Sequence, residues 1–259
     1  MTHAKVDQIL GARRLVFIGG MHKSGSTLMA ATLGSMRSVS ALVRTGVPGD
    51  EGQYLQNELK PDPYYGEILF GLSDECRLNE GDAESAGQLG KMLLEHWSAH
   101  WDLESPVLVE KSPYNLVRTR FLQSLFPKAR FVMMIRDPRT SYMAARKALG
   151  RVSCADYVRN WIGGYGTLFM DRSHLRNCID VPYEGFIARP NETVAVVLEF
   201  LGLESPLPRV AIDPSADKEY RVRWNTFLES EPSVRSKLPD LPIWSHRYGY
   251  SLEPYCQDQ

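Results

Sequence analysis

The sequence predicts an α/β fold: three α/β/α layers around a central, mostly parallel sheet, with an irregular helical cap. Three observations carry that prediction. Short apolar runs at Leu15–Ile18, Val107–Val109 and Arg130–Ile135 have the length and composition of buried strands. Each is followed, after a loop, by apolar residues at helical spacing: Thr27–Met36, Leu116–Phe126 (stopped by Pro127) and Thr140–Leu149. A chain of 259 residues, 43% hydrophobic and 24% charged, can also bury a sizeable core without disulfide or metal staples.

Alternating strands and helices place ligands beyond the carboxyl ends of the strands. The loops beginning at Gly20, Glu110 and Arg136 each follow a strand, so they should converge on one edge of the sheet. Residues 43–105 are less regular, with Gly46, Pro48, Gly49 and Pro61-Asp62-Pro63. They read as a loop-rich, acceptor-binding cap inside one domain spanning residues 1–259, with a helix near Gln88–His100. Trp97 and Trp101, at helical spacing, are expected in the core.

Charge and cysteine usage narrow the function. A formal net charge of −1 offers no global field for nucleic acid or an anionic membrane. Cys76, Cys154, Cys178 and Cys256 lie far apart, and the histidines do not cluster, so neither a zinc site nor a redox dithiol is expected. The opening segment lacks a signal-peptide core and no run reaches membrane-spanning length. These features predict a cytoplasmic protein with reduced thiols, no metal and no membrane span.

The first loop, Gly20-Met21-His22-Lys23-Ser24-Gly25-Ser26-Thr27, has P-loop-like spacing. Amides at the start of a helix make a nest for an anion, reinforced by the helix dipole. In nucleoside triphosphatases the residue after the second glycine is lysine; here it is Ser26, and the lysine has moved to the crown as Lys23. That arrangement suits a less charged terminal group bound without Mg²⁺. A strand–helix turn that binds nothing, and a small-molecule kinase or NTPase with a degenerate motif, are the competing readings.

Beyond the loop, several segments resemble sulfotransferases that use 3′-phosphoadenosine 5′-phosphosulfate (PAPS). Lys23–Thr27 is similar to their 5′-phosphosulfate loop, and Phe131–Arg139 to the element whose arginine grips the 3′-phosphate. Glu110–Pro113 with Phe121–Arg130 resembles the linker before that element. Val181–Phe186 with Val197–Leu203, and finally Lys218–Trp224 with Arg247–Tyr250, resemble the later segments and donor-covering tail. The resemblance implies a P-loop-like fold, PAPS as co-substrate and 3′-phosphoadenosine 5′-phosphate (PAP) as product. It places Lys23, Ser24, Gly25, Ser26, Thr27, Arg136, Ser141, Tyr183, Lys218 and Arg223 at the nucleotide. One position departs: eight residues after Arg136 the family carries serine, and this chain has Ala144, with Ser141 as the nearest substitute.

For the chemistry, Lys23 is expected to meet charge developing on the leaving oxygen, and Lys111 to be a second cation. Glu51 is the first expectation for a general base, on the resemblance, with His22 competing. The acceptor carries a hydroxyl, on a small molecule, glycan, lipid or peptide. A non-catalytic nucleotide-binding homologue is the remaining alternative.

Overall fold

The computed structural model describes residues 10–85, 87–150, 152–204, 206, 212–213 and 215–256. Among the described residues the sheet has five strands: β1 (Arg14–Gly19), β2 (Val39–Ala41), β3 (Val107–Lys111), β4 (Arg130–Ile135) and β5 (Cys178–Pro182). The order is β2-β3-β1-β4-β5 and every pairing is parallel. The three runs read as strands in the sequence are thus the three central ones. β2 and β5 escaped notice because β2 has only three residues and most of β5 is half-buried, without a continuous apolar run.

β1 shows why the fold needs two helical faces. Leu15 and Phe17 point into one buried cluster, Val16 and Ile18 into another, as the two-residue period of a strand requires. The second cluster is completed by α1 (Ser26–Gly34), α7 (Tyr183–Ala188) and α8 (Pro190–Leu201). The first is completed by α3 (Leu89–Ser98), α4 (Thr119–Leu125) and α6 (Cys154–Asp171). A third cluster joins α5 (Pro138–Leu149) and α6 to α9 (Ser215–Ser230) through Tyr142, Tyr157, Trp224 and Phe227. Among the described residues no helix is long and apolar enough to cross a membrane.

The region expected as one helix over Leu116–Phe126 is divided. A 3-10 turn, Pro113–Val117, precedes α4, because Arg118 leaves the helical region at φ −130°. Its guanidinium turns inward, donating from Nε to the Cys76 carbonyl at 2.9 Å and lying 3.9 Å from the Tyr114 ring centroid. The cap is built of short 3-10 turns, including Pro48–Asp50, Gly52–Tyr54 and Asp62–Tyr65, together with α2 (Glu80–Ser85) and α3. Trp97 and Trp101 are core residues, as expected. Each indole N–H donates to a backbone carbonyl at 3.0 Å, of Gly52 and Val109 respectively.

Glu110 is the contact point between cap and sheet. Its side chain lies so close to Gly52 that a Cβ there would sit 2.5 Å from Oε1, so the approach requires glycine. Burial pushes the Glu110 carboxyl up to about 7, against hydrogen bonds from Ser112 (2.6 Å) and Asn115 (2.5 Å) that pull it down. Between the ordinary 4.5 and about 7, the folded protein therefore holds a proton that the unfolded chain has released. Stability from this group is present below that window and falls as pH rises through it, by at most about 1.4 kcal/mol per pH unit. The prediction is that Glu110→Gln removes this component. In urea titrations across the window, the wild-type advantage over the variant should shrink as pH rises.

Candidate active site

The carboxyl ends of β1, β3 and β4 are adjacent, with Ile18 in register with Lys111 and Gly19 with Met133. The loops that follow them therefore meet. The first is held from behind: the Gly20 amide donates to Pro113 O at 3.3 Å and the Met21 amide to the Tyr165 hydroxyl at 3.3 Å. Lys23, exposed at the crown, adopts a left-handed conformation with φ 66°. Gly25 follows at φ 95°, where a Cβ would strike the Tyr183 ring at 2.5 Å.

From Gly25 the chain enters α1. The Met29 amide bonds the Gly25 carbonyl at 3.0 Å, so the amides of Ser26, Thr27 and Leu28 precede the first intrahelical bond. These amides stand at the helix start, where the spacing predicts an anion cradle. Thr27 is exposed, Gly25 half-buried and Ser26 buried. Ser24 is placed differently from its neighbours: its hydroxyl lies buried behind the loop, near Gly20 and Tyr165, and its amide donates to Met21 O at 3.0 Å. The tight turn that raises Lys23 thus turns Ser24 inward.

Arg136 is held by three groups of the protein itself. Its Nη1 donates to the Lys23 carbonyl at 2.8 Å, Nη2 to Asp217 at 3.1 Å and Nε to the Thr140 hydroxyl at 3.2 Å. The guanidinium lies over the rings of Tyr183, at 4.1 Å, and Tyr220, at 5.3 Å. Tyr183 is therefore at the loop. Ser141 is not: its buried hydroxyl donates back to Pro138 O at 3.3 Å within α5, and Thr140 supplies the hydroxyl beside Arg136. Helix α9 reaches the site through Asp217 and Tyr220. Lys218 and Arg223 are exposed, and Arg223 pairs with Glu219 one turn back on its own helix.

A second set of side chains links the cap to the loop. Lys111 Nζ donates to Glu51 Oε1 at 2.9 Å and to Gly49 O at 2.7 Å, in a pair with side-chain exposures of 4% and 12%. The other Glu51 oxygen accepts from Gln53 Nε2 at 2.5 Å. Gln53 Oε1 accepts from the Asp62 amide at 2.8 Å, and Asp62 Oδ2 lies 2.8 Å from His22 Nε2. A chain of contacts thus runs from Lys111 through Glu51, Gln53 and Asp62 to His22. Sequence reasoning found its two ends and Glu51 but missed Gln53, Asp62, Thr140 and Asp217. Asp62 stood out only as part of a proline-flanked break.

Asp217 compensates two guanidiniums, those of Arg136 and Arg221 (3.1 Å). Replacing it by Ala should cost about 3–5 kcal/mol, because a buried arginine is left without its counter-charge. Urea unfolding checks this, and Arg136→Met in the same background should recover part of the loss.

Comparison with known proteins bears on this geometry. The model of a family described as "Sulfotransferase family" matches residues 16–206. Protein-tyrosine sulfotransferase 1 of Danio rerio is 28% identical over 199 residues, which cover 73% of this chain and 53% of that protein. Protein-tyrosine sulfotransferase 2 of Gallus gallus is 26% identical over 200 residues, covering 73% and 51%. The chain thus spans about half the length of the curated relatives it matches. Two solved structures share the fold. The sulfotransferase domain from the curacin biosynthetic pathway aligns at a TM-score of 0.54 and 15% identity, over 93% of this chain and 99% of that one. The sulfotransferase domain from the Synechococcus PCC 7002 olefin synthase aligns at 0.53 and 16%, over 89% and 96%.

Proposed function

The chain belongs to the sulfotransferase family, and from that premise we propose that it moves a sulfuryl group from PAPS to a hydroxyl-bearing acceptor by in-line transfer. One observation carries the reading: the loop's lysine stands exposed at the crown, ahead of the helix start, instead of at position 26. As the bond from sulfur to the bridging oxygen breaks, charge grows on that oxygen and on the 5′-phosphate. A flexible ammonium beside a row of helix-start amides is suited to receive it.

In this proposal the amides of Ser26 and Thr27 hold the 5′-phosphate and Lys23 stabilises the leaving group. Lys111, fixed by Glu51 and Gly49, adds a second positive charge on the neighbouring strand. Arg136 and Tyr183 belong to the 3′-phosphate side, where a phosphate would share the guanidinium with Asp217. The tyrosine in the relatives' names makes a phenolic hydroxyl the first acceptor to test, with the cap as its binding surface. A cytoplasmic setting is part of the proposal, on the four free thiols.

Calorimetric titration with PAP, ATP and ADP, each with and without Mg²⁺, tests the nucleotide. PAP should bind equally in both conditions; binding of ATP–Mg²⁺ alone would overturn the reading in favour of a kinase or NTPase. Lys23→Ala should leave PAP bound while lowering transfer about 10²–10³-fold. Unchanged turnover would remove the role given to Lys23.

A further inference from the structure

His22 stands one residue before the crown lysine, and its ring is oriented by a group far away in sequence. Its Nε2 lies 2.8 Å from Asp62 Oδ2, with side-chain exposures of 23% for the imidazole and 2% for the carboxylate. Asp62 is itself fixed. It sits between Pro61 and Pro63, its amide donates to Gln53 Oε1 at 2.8 Å, and Oδ1 accepts from the Tyr54 hydroxyl at 3.0 Å. The Tyr157 hydroxyl donates to the His22 carbonyl at 3.4 Å, and the Phe70 ring meets the imidazole edge-on at 5.9 Å.

A buried carboxylate acceptor selects the tautomer with its proton on Nε2, which leaves the lone pair on Nδ1. No hydrogen bond from any described residue reaches Nδ1. Glu51 is placed differently: each of its oxygens already accepts a hydrogen bond, one of them from an ammonium.

We infer that His22 is the proton acceptor for the attacking hydroxyl and that Asp62 is its positioning residue. This rests on the sulfuryl-transfer reading above. As the acceptor oxygen forms its bond to sulfur, its proton passes to His22 Nδ1. The bond from sulfur to the bridging oxygen breaks, and its electron pair leaves with the 5′-phosphate of PAP. Asp62 stabilises the imidazolium so formed. Of the charged and titratable groups at this residue, Asp62 on the cap meets the ring, Tyr54 meets Asp62, Tyr157 on α6 meets the His22 carbonyl, and Lys23 follows in sequence.

Two measurements on the full chain test the inference. Long-range ¹H–¹⁵N spectra of histidine-labelled protein, assigned with His22→Gln, should show the Nε2–H tautomer at neutral pH and its loss in Asp62→Asn. Transfer from ³⁵S-labelled PAPS to phenols of graded acidity should then separate the candidate bases. In His22→Gln and Asp62→Asn the loss in kcat should grow as the phenol becomes less acidic, reaching about 100-fold or more for the weakest acid. The acidic limb of the kcat/KM profile should vanish, Asp62→Glu should restore part of it, and PAP affinity should stay within about threefold.

Three results overturn the assignment: a pH limb and acidity dependence that survive His22→Gln but are lost in Glu51→Gln; a PAP affinity that falls in step with kcat; or an Nδ1–H tautomer in the wild type. A wild-type protein that binds PAP yet transfers to no phenol defeats the parent reading for phenols and this role with it. The tautomer spectrum still decides separately whether Asp62 orients the ring.

Discussion

The hydrogen bond from Arg136 to the Lys23 carbonyl is the contact on which the site depends. Lys23 has a left-handed backbone, a conformation that costs an L-residue with a side chain roughly 1–2 kcal/mol. A charge-assisted hydrogen bond to its carbonyl is of similar size, about 1.5–3 kcal/mol, so the strained crown can persist. The guanidinium that provides it is buried and must be neutralised in turn. Asp217 on α9 does this from the far end of the chain, which makes α9 part of the loop's architecture. Tyr183 covers the guanidinium and abuts Gly25, joining the start of α7 to the same point.

A second constraint runs across the sheet edge. The cap's backbone turns fit against β3 because Gly52 admits the Glu110 carboxyl, and the Trp97 indole donates to the Gly52 carbonyl. That placement brings Glu51 to Lys111 and sets Gln53 to bridge Glu51 and Asp62. Three polar groups of the cap, Glu51, Gln53 and Asp62, are thereby joined to Lys111 at the end of β3. Such a network is stiff only while all its members are satisfied, since a lost partner leaves a desolvated polar group behind.

The sequence made the central strands, the crown lysine and the convergence of loops legible because each is a local signal. An apolar run, a glycine spacing and a proline stop involve residues within a few positions of one another. The parts missed depend on distance along the chain. Asp62 is joined to His22, and Asp217 to Arg136, by folding alone, and neither sits in a motif with either partner. The hydroxyl beside Arg136 illustrates the same limit at short range. Ser141 and Thr140 are neighbours, but the helix turns Ser141 toward its own backbone and Thr140 toward the arginine. Arg136 was singled out by its motif, while its hold on the loop became visible only in three dimensions.

The geometry also explains why arginine, and not lysine, fits position 136. Three partners lie in three directions: a backbone carbonyl on the first loop, a carboxylate on α9 and a hydroxyl on α5. A planar guanidinium presents Nε, Nη1 and Nη2 to them simultaneously from one fixed fork, and its flat face stacks on Tyr183. An ammonium has three donors too, but they radiate from a single atom and offer no face to an aromatic ring. It could satisfy the carboxylate or the crown carbonyl, and would leave the other buried and unpaired. The loop's shape is thus written as much in the fork of Arg136 as in the glycines of the loop itself.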